Sequence, residues 1–258
     1  MHREPSAPRL SDMGKTFRIC CLLLLVEAMG LSPARAEGPL AGAPEGALAE
    51  AIATTAPSSA AASTVRRVQE RYDATETFSG RFVQEVAVGV SGRVVRSGGQ
   101  LQFRKPGRMR WEYEASAGSE HQILIADGET LWIYQPEQAQ VLRAPLSQAF
   151  ASSTPVSFLF GVARLEEDFT AELLEPAEDG SLRLRLHPKD KEEGAGGGLV
   201  LEVDPTSFDL RAAVVRDPLG NQTRVALMDI KRNLPLDDAL FVFKRPPGTD
   251  VQQAPTGR

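Results

Sequence analysis

Between Gln100 and Tyr134, apolar and polar residues alternate with a period of two, interrupted mainly by turn chemistry. Met109, Trp111 and Tyr113 fall on one side of an extended chain, and Arg108, Arg110 and Glu112 on the other. Leu131 and Ile133 alternate with Trp132 and Tyr134 in the same way. Pro106-Gly107 and Asp127-Gly128 supply turns, because proline presets φ and glycine accepts positive φ. The stretch therefore predicts a β-meander with one apolar, aromatic face and one wetted face, and the rest of the chain must complete or cover that apolar face.

The same chemistry recurs on both sides. Phe78, Phe82, Gln84, Val86 and Val88 alternate with Arg81, Val83 and Glu85 as one long strand. Ser91-Gly92 and Gly98-Gly99 flank a second piece, and residues 139–144 make a short strand after Tyr134. Later runs at 169–174, 181–187, 199–203, 210–216 and 223–230 are joined by hairpin signals at Glu178-Asp179-Gly180 and at 217–221. About ten strands in this order predict one large antiparallel sheet, which must curl into a barrel or a bent half-barrel to bury a face. Helices are expected in only a few places. Val65, Val68 and Tyr72 recur at helical spacing behind a cap at Ser63 or Thr64, and residues 146–150 and 156–161 follow helix-opening prolines. The run from Thr154 to Gly161 is unusually apolar for a connector, and reads either as a core plug or as a movable cover.

The ends of the chain read differently. Lys15 and Arg18 precede an apolar run from Ile19 to Val26, and Ala34-Arg35-Ala36 offers a cleavage site, so residues 1–36 have the order of a secretory signal. Both cysteines, Cys20 and Cys21, lie inside it, which leaves a mature chain without disulfides. Residues 37–63 are rich in alanine, proline and serine and read as a flexible leader; the β domain is expected over 64–251, with a disordered tail at 252–258. Met13 is an alternative start. A net charge of −5 with scattered basic residues argues against nucleic-acid binding and against a polybasic membrane anchor.

Catalytic parts are scarce. With three histidines in the whole chain and no cysteine after the signal, a closed zinc site or a Cys–His nucleophile is not expected. His121 is the one candidate base for an envelope hydrolase, and no nucleotide-binding glycine pattern appears. No catalytic residue, metal ligand or cofactor is expected. The richest chemistry is apolar: Phe103, Met109, Trp111, Phe158, Leu159 and Phe160 are aromatic or soft side chains that suit either a core or a pocket for flexible apolar ligands.

Several fragments then occur in a familiar order. They are Phe78, Phe82 and Gln84; Gly99 and Leu101; Lys105-Pro106, Met109 and Trp111; Asp127-Gly128, Leu131-Trp132 and Tyr134; Thr154-Pro155; and Phe241, Phe243, Pro246-Pro247 and Gly248. In this order, from about Val65 to Val251, the chain resembles the periplasmic outer-membrane lipoprotein carrier family, LolA. The resemblance implies a mainly β fold: an incomplete, unclosed antiparallel β-barrel, or curved half-barrel, with a lid of short α-helices over an apolar cavity. It implies a periplasmic chaperone that takes acylated lipoproteins from an ATP-driven release complex in the inner membrane to an acceptor lipoprotein at the outer membrane. The protein would be non-enzymatic and monomeric. Cavity and lid would be lined by Phe103, Met109, Trp111, Leu131, Ile133, Val156, Phe158 and Leu159. The family's lid-latching arginine corresponds to Lys105, whose ammonium lacks the planar fork of donors; Arg104 faces the opposite side of a regular strand. Carriage of another lipid or glycolipid, or a lipid- or stress-sensing domain of the same fold, are alternatives that stay open.

Overall fold

The structure, a computed structural model, describes residues 59–89, 91–115, 120–149, 164–189, 198–217 and 220–254. The signal at 1–36, most of the leader, and the lid residues Val156, Phe158 and Leu159 lie outside them. Among the described residues, helix α1 (Ser59–Asp73) comes first. Six strands follow: β1 (Thr77–Ala87), β2 (Val94–Arg104), β3 (Arg108–Tyr113), β4 (Gln122–Asp127), β5 (Thr130–Gln135) and β6 (Gln140–Pro145). After the short helices α2 (Leu146–Ala149) and α3 (Leu165–Asp168) come β7 (Phe169–Leu174), β8 (Leu182–Pro188), β9 (Gly198–Val203), β10 (Leu210–Arg216) and β11 (Gln222–Arg232). A 3-10 turn at Asp238–Phe241 precedes β12 (Asp250–Gln253).

These strands form one 12-stranded sheet in the order β12-β6-β5-β4-β3-β2-β1-β11-β10-β9-β8-β7. The chain lays β1 to β6 outward from β1, then lays β7 to β11 back until β11 pairs with β1. Thus β1 joins the halves, with Phe82 opposite Gly99 on one side and Leu227 on the other. The sheet is unclosed, its outer strands being β7 and β12, and strand twist curves it. Neighbours are antiparallel except β12, which runs parallel to β6.

Alternation decides the faces. Phe82, Leu101, Met109, Tyr113, Leu124, Leu131 and Ile133 are buried together in one concave-face cluster. A second cluster combines Val65 and Val68 of α1 with Leu184, Leu186, Leu199, Leu201 and Val203. Tyr72 packs against both clusters. Each aliphatic side chain so buried contributes about 1.5–3 kcal/mol.

On the convex side, the 3-10 turn covers β3 and β4. Phe241 is 1% exposed there, Phe243 stacks on Trp132 at 5.2 Å, and Arg108 reaches Asp238 at 3.1 Å. The other convex half carries cross-strand ion pairs, including Arg96–Glu85, Arg224–Glu202 and Arg185–Glu172.

Several local expectations need correction. The first helix starts at Ser59, inside the alanine-rich segment read as leader, and Thr64 is not its cap. Thr64 sits mid-helix and its hydroxyl donates to Ala60 O at 2.8 Å, because the alanines ahead of it are good helix formers. Gly98 and Gly99 lie within β2 instead of bounding it. A Cβ on Gly99 would overlap the carbonyl oxygen of Glu112, so this glycine permits close approach of β3. It also lets Phe82 and Tyr113, which flank it on neighbouring strands, meet edge-to-face at 5.0 Å. Gln252 and Gln253 belong to β12 instead of the tail, since backbone pairing to the edge of β6 needs no apolar side chain.

Candidate functional site

The pairing of β11, β1, β2 and β3 brings Leu227, Phe78, Leu101, Phe103, Met109 and Trp111 around one pocket, with Gln102 contributing to its wall. Phe78 and Phe103 face each other across β1 and β2, with ring centroids 5.3 Å apart. Met109 is opposite Phe103, and Trp111 opposite Leu101. The Trp111 indole lies 4.7 Å from the Phe82 ring and 6.3 Å from that of Tyr113. Beyond it the concave face turns polar, where the Tyr113 hydroxyl donates to Gln84 Oε1 at 2.8 Å.

The pocket has a volume of only about 10 Å³, room for a single water. Apolar side chains on a curved face close onto one another because a void forfeits dispersion contacts. A ligand larger than a water molecule can enter only if these side chains move apart.

Of the eight residues assigned to cavity and lid, Phe103, Met109 and Trp111 line this pocket. Leu131 and Ile133 belong to the same buried cluster, at 0% and 3% exposure, but stand two strands further out and do not border it. Val156, Phe158 and Leu159 are outside the described residues. Phe78, Leu101 and Leu227 were not anticipated as pocket lining. Continued alternation from Phe82 and Phe103 would have found the first two. Nothing near Leu227 in the sequence signals that it meets Phe82 across β11 and β1.

Lys105 ties the rim of this site to α1. Its Nζ donates to the carbonyl of Tyr72 at 2.6 Å and to that of Asp73 at 3.4 Å, and lies 4.5 Å from the centre of the Tyr72 ring. Helix C-termini leave such carbonyls without intrahelical partners, and a cation there also complements the helix dipole. Burial lowers the Lys105 pKa, against the opposing pull of Asp73 and Glu76. Burial, reinforced by Asp73, raises that of the Tyr72 phenol. Arg104 points to the convex side, toward Leu236 O at 3.3 Å and the Asp238 carboxylate. Arg71 adds a second tie, to Asp209 at 2.6 Å, and Arg232 reaches the same carboxylate at 2.8 Å.

His121 sits at the start of β4 against Glu112, with Nε2 3.2 Å from Oε1, while Arg110 holds Oε2 at 2.7 Å. Burial would raise the Glu112 pKa, but Arg110 and then His121 lower it overall. Among the described residues no three His, Asp or Glu side chains gather as metal ligands, and no helix is long and apolar enough to cross a membrane.

An open, curved antiparallel sheet with an apolar recess on its concave face and a helix tied to its rim defines the class. Residues 73–244 match the family described as outer membrane lipoprotein carrier protein LolA, and the chain belongs to that family. The outer-membrane lipoprotein carrier protein of Chromobacterium violaceum is 31% identical over 79% of this chain and 94% of its own length. That of Cupriavidus necator is 33% identical over 78% of this chain and 92% of its own length. The crystal structure of a LolA superfamily protein from Nitrosomonas europaea superposes with a TM-score of 0.42 at 17% identity, covering 71% of this chain and 97% of that one.

Proposed function

We propose that this chain is a periplasmic carrier that shelters the acyl chains of lipoproteins released from the inner membrane and hands them to an outer-membrane acceptor. The observation that carries the reading is the apolar pocket between Leu227, Phe78, Phe103, Met109 and Trp111 in a chain of the LolA family. A buried methylene gains about 0.8 kcal/mol, so a long acyl chain left in water costs on the order of 10 kcal/mol. That is enough to hold open a cradle that otherwise closes on itself. The pocket expands because the concave side chains exchange contacts with one another for contacts with the tail.

Binding and release then depend on a modest balance. The contacts made by Lys105 and Arg71 at the end of α1 are few and polar, so differential binding of a few kcal/mol shifts the populations in which that end parts from the sheet while Val65 and Val68 stay buried. The carrier itself performs no chemistry in this scheme. An ATP-driven complex in the inner membrane supplies cargo, and an acceptor lipoprotein that binds the tails better removes it. The charge-paired half of the convex face stays in water throughout.

The test is release. The mature chain is added to inner-membrane vesicles displaying a triacylated lipoprotein with its release machinery, and soluble lipoprotein is measured. A soluble one-to-one complex is expected; release no greater than in a protein-free blank sinks the proposal.

A further inference from the structure

The chain has two tryptophans, and their indole N–H groups are treated differently. Trp132, on the convex side of β5, donates to Asp127 Oδ2 at 3.3 Å. Trp111, which lines the pocket, has its Nε1 fully buried with no hydrogen-bond partner. A buried donor left unpaired is unfavourable, and proteins place few of them. The indole is not idle through looseness, because Phe82 at 4.7 Å and Tyr113 at 6.3 Å fix its ring between strands. Nor is the donor easily relieved from nearby. Phe78, Leu101, Phe103, Met109 and Leu227 line the pocket beside it without a polar side chain, and the polar groups further along this face, the Tyr113 hydroxyl and Gln84 Oε1, are bonded to each other. Gln102 also borders the pocket and has a buried, unpartnered Oε1, yet that oxygen does not accept from Trp111, and alternation with Leu101 and Phe103 directs the side chain toward the other face.

An indole N–H only donates, so its complement must be an acceptor. A hydrocarbon tail offers none along its length; its acyl carbonyl is the one strong acceptor that travels with it. We infer that the Trp111 indole N–H is a recognition point for the acyl carbonyl oxygen of a lipid seated in the pocket. This rests on the carrier reading above. It adds that the site distinguishes acyl-linked tails from alkyl ethers, and that the carbonyl fixes how far a tail slides into the trough. The hydrogen bond forms only when the tail enters, so it favours the open, loaded state.

Three ligands with two tails of equal length test this: an S-diacylglyceryl cysteinyl peptide, its dialkyl ether counterpart, and an S-monoalkyl ether peptide that carries its second tail as an N-terminal acyl amide. The mature wild-type chain should bind a carbonyl-bearing ligand roughly tenfold more tightly than the dialkyl ether, and Trp111→Phe should bind ether and carbonyl ligands equally. The comparison within each protein cancels the lost ring volume. In parallel, on the wild-type chain labelled with 15N at the indoles, the Trp111 N–H proton should move downfield with carbonyl-bearing ligands only, while the Trp132 signal stays as an internal reference. This second readout decides the matter if Trp111→Phe fails to fold. A preference for the diester assigns the glycerol ester carbonyl, and one seen only with the acyl amide assigns the amide; either supports the inference. Equal affinities for all three ligands, with no indole shift, overturn it and leave carriage standing. No binding of any of the three overturns carriage and this inference together.

Discussion

Lys105 Nζ donates to the carbonyl of Tyr72 at 2.6 Å, which ties the β2–β3 turn to the last turn of α1. The partners are 33 residues apart in sequence and belong to different layers of the fold. Tyr72 also packs against both apolar clusters, so this bond sits where the two halves of the concave face meet. Replacing Lys105 by leucine should cost about 1 kcal/mol or less, since the ammonium is partly solvated, and lower Tm by a few degrees. Lipid exchange should accelerate several-fold, read as the transfer rate of a fluorescent acyl probe to vesicles. A large fall in Tm with unchanged transfer would make Lys105 a purely structural residue.

Trp111→Glu places a carboxylate among Phe103, Met109 and Leu227, where no cation waits for it. Burying an unpaired charge is unfavourable by several kcal/mol, so the side chain must drag water into the pocket or displace the lining. Binding of an acyl probe is expected to vanish, while far-ultraviolet circular dichroism still reports the sheet. Binding at wild-type strength would show that acyl chains lodge elsewhere.

Gly99→Val tests whether close strand approach builds the aromatic corner. The new Cβ must push the Glu112 carbonyl away, separating β2 from β3 and parting Phe82 from Tyr113. Overpacking of this kind costs about 1–3 kcal/mol, and a displaced backbone carbonyl places it at the upper end. Urea unfolding should show the loss as a lower midpoint; a midpoint within error of wild type contradicts the described contact.

Acid should weaken the fold in a defined window. The Asp204 carboxylate accepts from the backbone N–H groups of Ser207 and Thr206, and then from Arg211, and its pKa is held at about 2, below the usual 3.8. For Asp127, burial opposes ionisation, but N–H groups of Thr130, Glu129 and Trp132 outweigh it and lower the pKa. A carboxyl with a depressed folded pKa stabilises fully above its unfolded pKa, and the contribution disappears as pH falls through the folded value. Stability measured by thermal unfolding should therefore be flat near neutrality and decline from about pH 4 toward pH 2. Asp204→Asn should flatten part of that decline, and an identical acid profile in this variant would remove Asp204 from the account.

Much of this architecture was legible because it is written locally. The alternation of Met109, Trp111 and Tyr113 with Arg108, Arg110 and Glu112 is the observed division between faces. The turn at Asp127-Gly128 is where the sequence puts it, with Asp127 accepting two backbone N–H bonds. The start of α1 was missed because a run of alanines resembles a leader until its end meets a partner. Helix propensity alone does not decide that; burial of Ala61, Thr64, Val65 and Val68 does. Gly99 was misread as a boundary because glycine marks both turns and close approaches, and only the position of Glu112 separates the two.

Local residue order dictated the apolar period of two and the places where turns fall, and hence a curved sheet with an oily side. Those properties depend on neighbours a few residues apart, and backbone geometry enforces them. Only long-range pairing made β11 return to β1 and set Leu227 opposite Phe82, and brought Lys105 to the carbonyl of Tyr72. It also gave one tryptophan an acceptor for its indole hydrogen and left the other without one. Such outcomes rest on contacts between distant segments, whose register is fixed only when the entire sheet is in place.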